Sequence, residues 1–571
     1  MNFKALESAQ KLRGGYYTPE PIAAFLRRWA LAGGARRVLE PSCGDGVFFA
    51  TLSASITEAN LWPGIVVDAV EIVPAEAGKA DHRADGLRAA GAEVKIANED
   101  FFHWLERAGA GRQWDAVIGN PPYIRYQYFD EDQRNWAELI FRQAGIPFSK
   151  RTNAWVPFVI ASVEHLSPGG RLAMVIPAEL LHIAHADGLR RLLEREMEQI
   201  TVINLREMVF AGALQGIILL LAVKRRHAPT VQFVRQPQLS LFPAELCEES
   251  TALQIIEIDR TDDLLHIDLA LNHRTSVTTS TQGLDGNWML AVLAPEERHL
   301  VARLNRHPSV ERFAQIADVD IGIVTGANDF FVVDQQTVNR YELQTIAFPM
   351  LAKSNLIGGI TYTAQDHAAN AQAGKAVYLL RFPKKPFAEL PAKMAEYIRL
   401  GETQNLQTRF KCRIREPWYV VPYVWVSEVA MLKRSHKYPR LVLNEFGAYS
   451  TDTAYRIRMR PEYRSRGRDL TFSFMNSLTF LSAELEGRHY GGGVLEMVPS
   501  EIERLLIPLG RMEAQELAEV DAMVRRRMDV DELLQVTDPL ILQNGLGLSP
   551  IETAILQTAH RRLRDRRLRV K

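Results

Sequence analysis

The chain is 571 residues long, beyond the roughly 250–300 residues at which one hydrophobic core stops growing, so two domains are expected. Its 47% hydrophobic and 24% charged residues are ordinary for a soluble globular protein, and 68 basic residues balance 68 acidic ones, which argues neither for nor against a nucleic-acid partner. Three cysteines, at positions 43, 247 and 412, lack ligand spacing and suggest neither a disulfide framework nor a zinc site, so no metal is expected.

The opening MNFKALESAQKLRGG lacks the apolar core of a secretory signal, and a cytoplasmic protein is expected. Residues 36–52 (RRVLEPSCGDGVFFATL) read as strand, turn and helix start. Val38 and Leu39 end the strand, Pro41 to Gly46 form the turn, and an apolar helix begins at Val47. Gly44 and Gly46 let the backbone pass close to a ligand, and the helix start presents free N–H groups. That suits a nucleotide-like cofactor, with a plain tight turn as the alternative. The second strand, within 64–74 (GIVVDAVEIVP), ends at Glu71. A carboxylate about 25 residues beyond the glycine turn can accept hydrogen bonds from ribose hydroxyls; a capping or surface glutamate is the alternative. The third segment, 92–104 (AEVKIANEDFFHW), ends at Asp100 and Phe101. The Asp can accept a hydrogen bond from an adenine amino group, and the aromatic can cover a ring or fill the core.

The fourth segment carries the most information. Residues 112–127 (RQWDAVIGNPPYIRYQ) are an apolar strand running into Asn120-Pro121-Pro122-Tyr123. The prolines stiffen the turn and remove backbone donors, leaving the Asn120 amide and the Pro121 carbonyl as directed acceptors. Two acceptors out of plane can hold the hydrogens of an aromatic amine and expose its lone pair to an electrophilic methyl group. Tyr123 offers a face on which an extruded base can stack. A helix from Trp155 to Leu166, a Pro-Gly-Gly turn and the strand RLAMVIP follow. Next come a helix over 187–199 and two apolar strands, ITVINLREMVF and LQGIILLLAV, separated by AGA. The run Ile217 to Val223 is too short to span a bilayer and reads as a buried strand. The alternation predicts an α/β fold with a roughly seven-stranded, mostly parallel sheet covered on both faces. Phe210, at the end of one late strand, reads by pattern as core.

Over residues 14–226 the chain resembles the gamma-type adenine-specific DNA methyltransferases of type II restriction–modification systems, the TaqI-like or Eco57I-like enzymes. The resemblance implies a Rossmann-like class I methyltransferase sheet, S-adenosyl-L-methionine as cofactor, and N6 of a flipped-out adenine in double-stranded DNA as methyl acceptor. GGYYTP (14–19) falls on the cofactor-closing segment, with Thr18 against the methionine part. LEPSCGDG (39–46) falls on the cofactor loop, where Glu40 and the backbone from Cys43 through Gly44 to Gly46 hold the amino-acid portion. Glu71 falls on the ribose-binding acid, Asp100 on the partner of the cofactor's adenine amino group, and Phe101 on the residue packing against that adenine. Asn120, Pro121, Pro122 and Tyr123 fall on the catalytic tetrapeptide. Within VFAGALQGIILLLA (209–222), Phe210 falls on the residue clamping the flipped base opposite the tyrosine. Cys43 receives no catalytic role, because this chemistry needs no covalent adduct.

These readings divide the chain into a catalytic domain (1–230), a connecting segment (231–300) and a mixed α/β DNA target-recognition domain (301–571). Basic clusters occur at 409–419 (RFKCRIREPWY), 455–468 (YRIRMRPEYRSRGR) and in the closing RRLRDRRLRVK. Arg456, Arg458, Arg460, Arg464 and Arg466 are candidates for phosphate contact, with a solvated basic face as the alternative. Tyr449 to Thr453 would form a polar recognition loop if it lay beside that surface. The rival functions are an RNA or protein N-methyltransferase using the same chemistry, and a non-catalytic DNA-binding relic. No nuclease signature is evident, so the modification enzyme alone is expected, with any restriction endonuclease encoded separately; an asymmetric target would permit a monomer, and a monomer without membrane association is expected.

Overall fold

The computed structural model describes residues 17–568 apart from 50–63, 125, 151, 208, 211–215, 228–230, 235–243, 248–250, 269, 273–275, 282–283, 285 and 491. The chain divides into two compact units, Met1–Ala294 and Pro295–Lys571. No helix among the described residues is long and apolar enough to cross a membrane.

The first unit is built on one large sheet. Its strands are β1 (Arg37–Glu40), β2 (Val66–Val70), β3 (Glu93–Ala97), β4 (Trp114–Gly119), β5 (Leu166–Pro177), β6 (Met197–Leu205) and β7 (Ile217–Lys224); a separate hairpin of β8 (Val231–Val234) and β9 (Ala244–Cys247) precedes β10 (Ala252–Ile258) and β11 (Val277–Ser280). The sheet order is β11-β10-β6-β7-β5-β4-β1-β2-β3. β7 runs antiparallel between β5 and β6, which accounts for its lack of alternation: residues 217–222 are buried on both sides. The sheet therefore has nine strands, not the seven expected. The additional pair comes from residues 252–280, inside the stretch read as a connecting segment; β10 pairs in parallel with β6 along its whole length, and β11 closes the edge antiparallel.

Helices cover both faces. From α1 (Glu20–Leu31), Ile22, Phe25, Leu26 and Trp29 join Val38, Ala116, Ile118, Ala173 and Val175 in one core. The alternate residues Leu39, Val117, Leu172 and Met174 are also fully buried, so the opposite face is covered too. There α5 (Trp155–Glu164), apolar and buried through Val163, lies against β5. Before it come α2 (Pro74–Ala89) against β3, the short α3 (Phe101–Trp104) and α4 (Glu131–Gln143), and α6 (Asp187–Glu196) follows it. α4 has no counterpart in the sequence reading, although Asp130 and Gln133 form a reciprocal capping box at its start. The register is what positions the site. Glu40 stands opposite Ala69, Val70 opposite Ala97, and Leu39 opposite Val117, so the carboxyl ends of β1 to β4 lie side by side.

In the second unit, α7 (Pro295–Leu304) precedes β12 (Ala317–Ile321), β13 (Val332–Val333), β14 (Ala347–Leu351), β15 (Tyr378–Leu380), α8 (Ala392–Thr403), α9 (Phe410–Arg413), β16 (Val429–Leu432), β17 (Leu441–Leu443), β18 (Tyr449–Ser450), β19 (Ala454–Met459), α10 (Ser477–Glu486), α11 (Val530–Asp538) and α12 (Pro550–Leu568). These strands form two four-stranded sheets, β12-β19-β16-β17 and β13-β15-β14-β18, beside two smaller sheets, and an aromatic core surrounds Phe330, Phe331, Phe382 and Tyr397. Three sequence expectations change here. The stretch Tyr449–Thr453 is no exposed recognition loop: Tyr449 and Ser450 are a buried strand, and the Thr451 hydroxyl donates to the Ala352 carbonyl at 3.0 Å. Arg456 is buried and donates to the carbonyls of Ile321 and Tyr423, while Arg458, Arg460 and Arg466 pair with Asp320, Asp318 and Asp469. The basic tail is mostly structural. On α12, Arg562 pairs with Glu297, Arg564 with Asp531 and Arg567 with Glu484.

Candidate active site

Four parallel strands deliver the site at their carboxyl ends, where open α/β sheets bind ligands. After Glu40 the chain turns through Pro41–Gly46. The Cys43 N–H donates to the Val70 carbonyl of β2 (2.9 Å) and the Gly46 N–H to the Cys43 carbonyl (2.8 Å), which fixes the turn against β2. Gly44 (φ 54°) and Gly46 (φ 82°) both adopt the left-handed region, for different reasons. A Cβ on Gly46 would stand 2.7 Å from Cα of Ala80 on α2, so glycine there lets turn and helix touch. A Cβ on Gly44 would meet nothing within 4 Å. The Gly44 N–H donates to Glu71 Oε2 at 2.9 Å, and the Val73 N–H to Oε1 at 2.8 Å. Glu71 thus ties the end of β2 to the turn. Burial raises its pKa, and these two donors pull it back.

Glu40 is 1% exposed, and its Oε2 is buried without a hydrogen-bond partner among the described residues. Burial pushes its carboxyl well above the ordinary range, and the nearby Asp45 and Glu71 act in the same direction. Such a group is relieved by a cationic donor. The amino group of S-adenosylmethionine has the charge and donor capacity that this orphan oxygen lacks, so the residues present fit the cofactor. The Cys43 thiol is pushed far up by burial and is no nucleophile. Thr18 is buried immediately before α1. Beside it Tyr17 is about half exposed, its pKa raised by burial and by its hydrogen bond to Glu76 of α2.

Asp100 caps α3, its Oδ1 accepting from the N–H groups of Phe102 (2.8 Å) and His103 (3.2 Å). The Phe101 ring is buried and stacks on Phe158 with centroids 5.1 Å apart, so its visible contacts are those of a core residue.

β4 leads into Asn120. Ser42 of the turn donates its hydroxyl to the Asn120 backbone carbonyl at 3.2 Å, linking the turn after β1 to the tetrapeptide after β4. The Tyr123 hydroxyl lies 2.8 Å from Asn120 Oδ1 and 3.0 Å from the Val175 carbonyl of β5. Pro121 is buried and Pro122 half-buried. Tyr123 and Phe210 pack on the same core, which also contains Cys43. The structure therefore joins Cys43, Gly44, Gly46 and Glu71 in one hydrogen-bonded turn that follows directly from Glu40, connects Asn120 to it through Ser42, and gathers Tyr123 and Phe210 on a shared core. Asp100 and Phe101 stand at the end of β3, the neighbour of β2. Two residues were not singled out from sequence. Ser42 acts on a partner 78 positions away, which no local pattern shows. Ile72 leaves an apolar side chain 54% exposed next to Glu71, a signal visible only as burial. Among the described residues no group of three or more His, Cys, Asp and Glu side chains is placed to hold a metal ion.

Comparison with known proteins covers both halves. Residues 3–267 match the N-6 DNA Methylase family, and residues 285–542 match the C-terminal domain of type II methyltransferase M.Eco57I. Type II methyltransferase M.AccI of Acinetobacter calcoaceticus is 23% identical over 520 residues, covering 88% of this chain and 87% of its own. Type II methyltransferase M.XamI of Xanthomonas campestris pv. amaranthicola is 23% identical over 511 residues, covering 87% and 85%. Among solved structures, the type IIL restriction-modification enzyme MmeI, in complex with DNA, shares the fold with a TM-score of 0.56 at 10% identity, over 98% of this chain and 78% of its own. The two matches follow one another along most of the chain and, with these relatives, mark it as an S-adenosylmethionine-dependent DNA methyltransferase.

Proposed function

We propose that this enzyme methylates N6 of an adenine flipped out of duplex DNA at one short sequence, with the gamma-type arrangement of parts. The observation carrying this reading is the bond from Ser42 to Asn120, which couples the glycine turn to the Asn-Pro-Pro-Tyr segment. When bound, S-adenosylmethionine supplies an electrophilic methyl group on a sulfonium centre. Glu40 would hold its amino group, Thr18 and the backbone of Cys43 to Gly46 its amino-acid portion, Glu71 its ribose, and Asp100 and Phe101 its adenine end. Asn120 Oδ1 and the Pro121 carbonyl accept the two hydrogens of the target amine. Directed acceptors out of the ring plane draw that nitrogen toward tetrahedral geometry and expose its lone pair. Pro122 keeps the turn rigid, and Tyr123 and Phe210 bracket the extruded base. The second unit, within 301–571, serves as the target-recognition domain. The enzyme acts as a cytoplasmic monomer and protects its sites from a separately encoded endonuclease.

Methyl transfer from S-adenosylmethionine to an unmethylated plasmid library, read by modification-sensitive sequencing, tests the reading. N6-methyladenine at one short sequence is expected. Asn120→Ala should lower transfer at least a hundredfold while leaving cofactor affinity within about threefold, because it removes an amine acceptor and no cofactor contact. Equal rates for mutant and wild type would remove Asn120 from the chemistry.

A further inference from the structure

Most of the large apolar side chains exposed on the second unit lie on three segments. Ile321 ends β12 and Val324 follows it, Phe410 and Ile414 belong to α9 and its end, and Tyr423 and Val426 lie in the loop before β16. Phe410 and Ile414 are each 63% exposed and Tyr423 is 89% exposed. Isolated exposed apolar residues need no explanation, but a group on segments tied to one another does.

Two arginines fix it. The Arg415 guanidinium donates to the carbonyls of Thr325 (2.7 Å) and Val324 (2.8 Å), clamping the end of α9 to the loop after β12. Arg456 donates to the carbonyls of Ile321 and Tyr423, both at 3.1 Å, clamping the end of β12 to the segment before β16. Arg456 and Arg458 also lie over the Trp425 ring, 4.5 and 4.8 Å from its centroid. α9 sits on Gly326 (φ 85°), where a Cβ would come within 2.8 Å of Lys411 Cβ, and Cys412 is buried beneath it. Burial of Cys412 leaves Phe410, Lys411, Arg413 and Ile414 outward.

Tyr423 has φ 56°, a left-handed conformation costly to a residue with a Cβ. The Arg456 bond to its carbonyl holds a bulky ring there, exposed. Around these apolar groups Arg409, Lys411 and Arg413 are exposed and make no ion pair among the described residues; Asp329, Glu416 and Glu428 are the exposed carboxylates nearby in sequence, and Asp320 is already paired with Arg458.

We infer that this face is where the second unit contacts duplex DNA, with Tyr423 set against the bases and Arg409, Lys411 and Arg413 against phosphates. The inference rests on the methyltransferase reading above. Unpaired cations ringing rigid aromatic and apolar groups complement a polyanion whose bases present flat apolar faces. Arg456, a candidate from sequence for phosphate contact, is buried and holds the surface in shape.

The test uses the full chain and a labelled duplex cut from a plasmid the wild type methylates. The triple variant R409A/K411A/R413A should lower the slope of log affinity against log salt by about 2–3, near 0.9 per lost phosphate contact. Tyr423→Gly should weaken binding about tenfold while its thermal midpoint stays level or rises, because glycine tolerates that backbone; Tyr423→Phe should keep both. Wild-type salt slope and affinity in the triple variant and Tyr423→Gly, beside a wild type that methylates, would overturn this surface and leave the function standing. A wild type that binds S-adenosylmethionine but neither binds nor methylates duplex would overturn both.

Discussion

At the scale of single residues, Glu40 carries the sharpest consequence. Its carboxyl is buried, has an orphan oxygen and is pushed toward the protonated form. A cation arriving beside it favours the carboxylate, so cofactor binding should release a proton from this residue. The sign follows: affinity should rise with pH where the free enzyme still holds that proton. Calorimetric titration of S-adenosylmethionine in buffers of different ionisation enthalpy should report the release, and Glu40→Gln should abolish it while weakening binding. Identical proton counts for the two proteins would exclude the pairing. Tyr123 allows a second separation. Its ring is a stacking surface, whereas its hydroxyl lies beside the Asn120 side-chain oxygen that would accept the amine hydrogen. Tyr123→Phe keeps the first role and removes the second. One hydrogen bond of this kind is worth about 1 kcal/mol, so transfer should fall roughly three- to tenfold with duplex affinity unchanged. A single-turnover rate equal to wild type would mean that the hydroxyl does not position Asn120.

At the scale of elements, the glycine turn shows two uses of one residue type. Gly46 faces Ala80 of α2, so Gly46→Ala adds a backbone clash to an unfavourable φ. Gly44 faces open space, so Gly44→Ala adds conformational strain alone, about 1 kcal/mol. Gly46→Ala should therefore lower the thermal midpoint of the first unit clearly more than Gly44→Ala, whose main loss should be in cofactor affinity. Equal midpoints would contradict the packing argument. The same turn explains what was legible in the sequence. Parallel strands place their following loops at one edge, so LEPSCGDG, Glu71, Asp100 and NPPY could be assigned to neighbouring loops before any coordinates. The two outer strands could not. β10 and β11 follow a polar interruption after β7, and nothing local marks ALQIIEI as the partner of β6. Tyr449–Thr453 stays open in the sequence for the same reason: the hydroxyls of Thr451 and Thr453 both donate to the Ala352 carbonyl, a partner about a hundred positions away that no local pattern shows.

At the scale of the whole chain, equal numbers of acids and bases conceal a division between cations held inside and cations left outside. Arg567 is buried and donates to both oxygens of Glu484, at 2.7 and 2.9 Å, so a tail legible only as basic is an internal counter-ion. Burial alone would raise the Glu484 pKa; His489 and Arg567 more than offset it and bring it to about 2. Two other buried groups of the second unit are shifted in ways that oppose each other. His560 has both ring nitrogens buried without a hydrogen-bond partner among the described residues, and burial lowers its pKa to about 4. Burial raises Asp538 to about 6, against the donors Ser477 and Gln557. The unfolded chain protonates a histidine near 6.5 and an aspartate near 3.9. His560 therefore contributes stability above pH 6.5 that is lost as pH falls toward 4, about 3 kcal/mol from its shift. Asp538 acts oppositely: the folded state keeps its proton longer, so stability rises by a similar ~3 kcal/mol as pH falls from 6 to 3.8. The two slopes nearly cancel between pH 6 and 4.5, and below 4.5 the Glu484 contribution is lost. Wild-type stability of the second unit should be nearly level from pH 6 to 4.5 and then fall. His560→Leu removes one of the opposing slopes and two unsatisfied nitrogens, so the variant should be more stable at pH 5 than at pH 6.5. Urea midpoints of the full chain across this range decide it: parallel curves for variant and wild type would show that His560 does not set the slope.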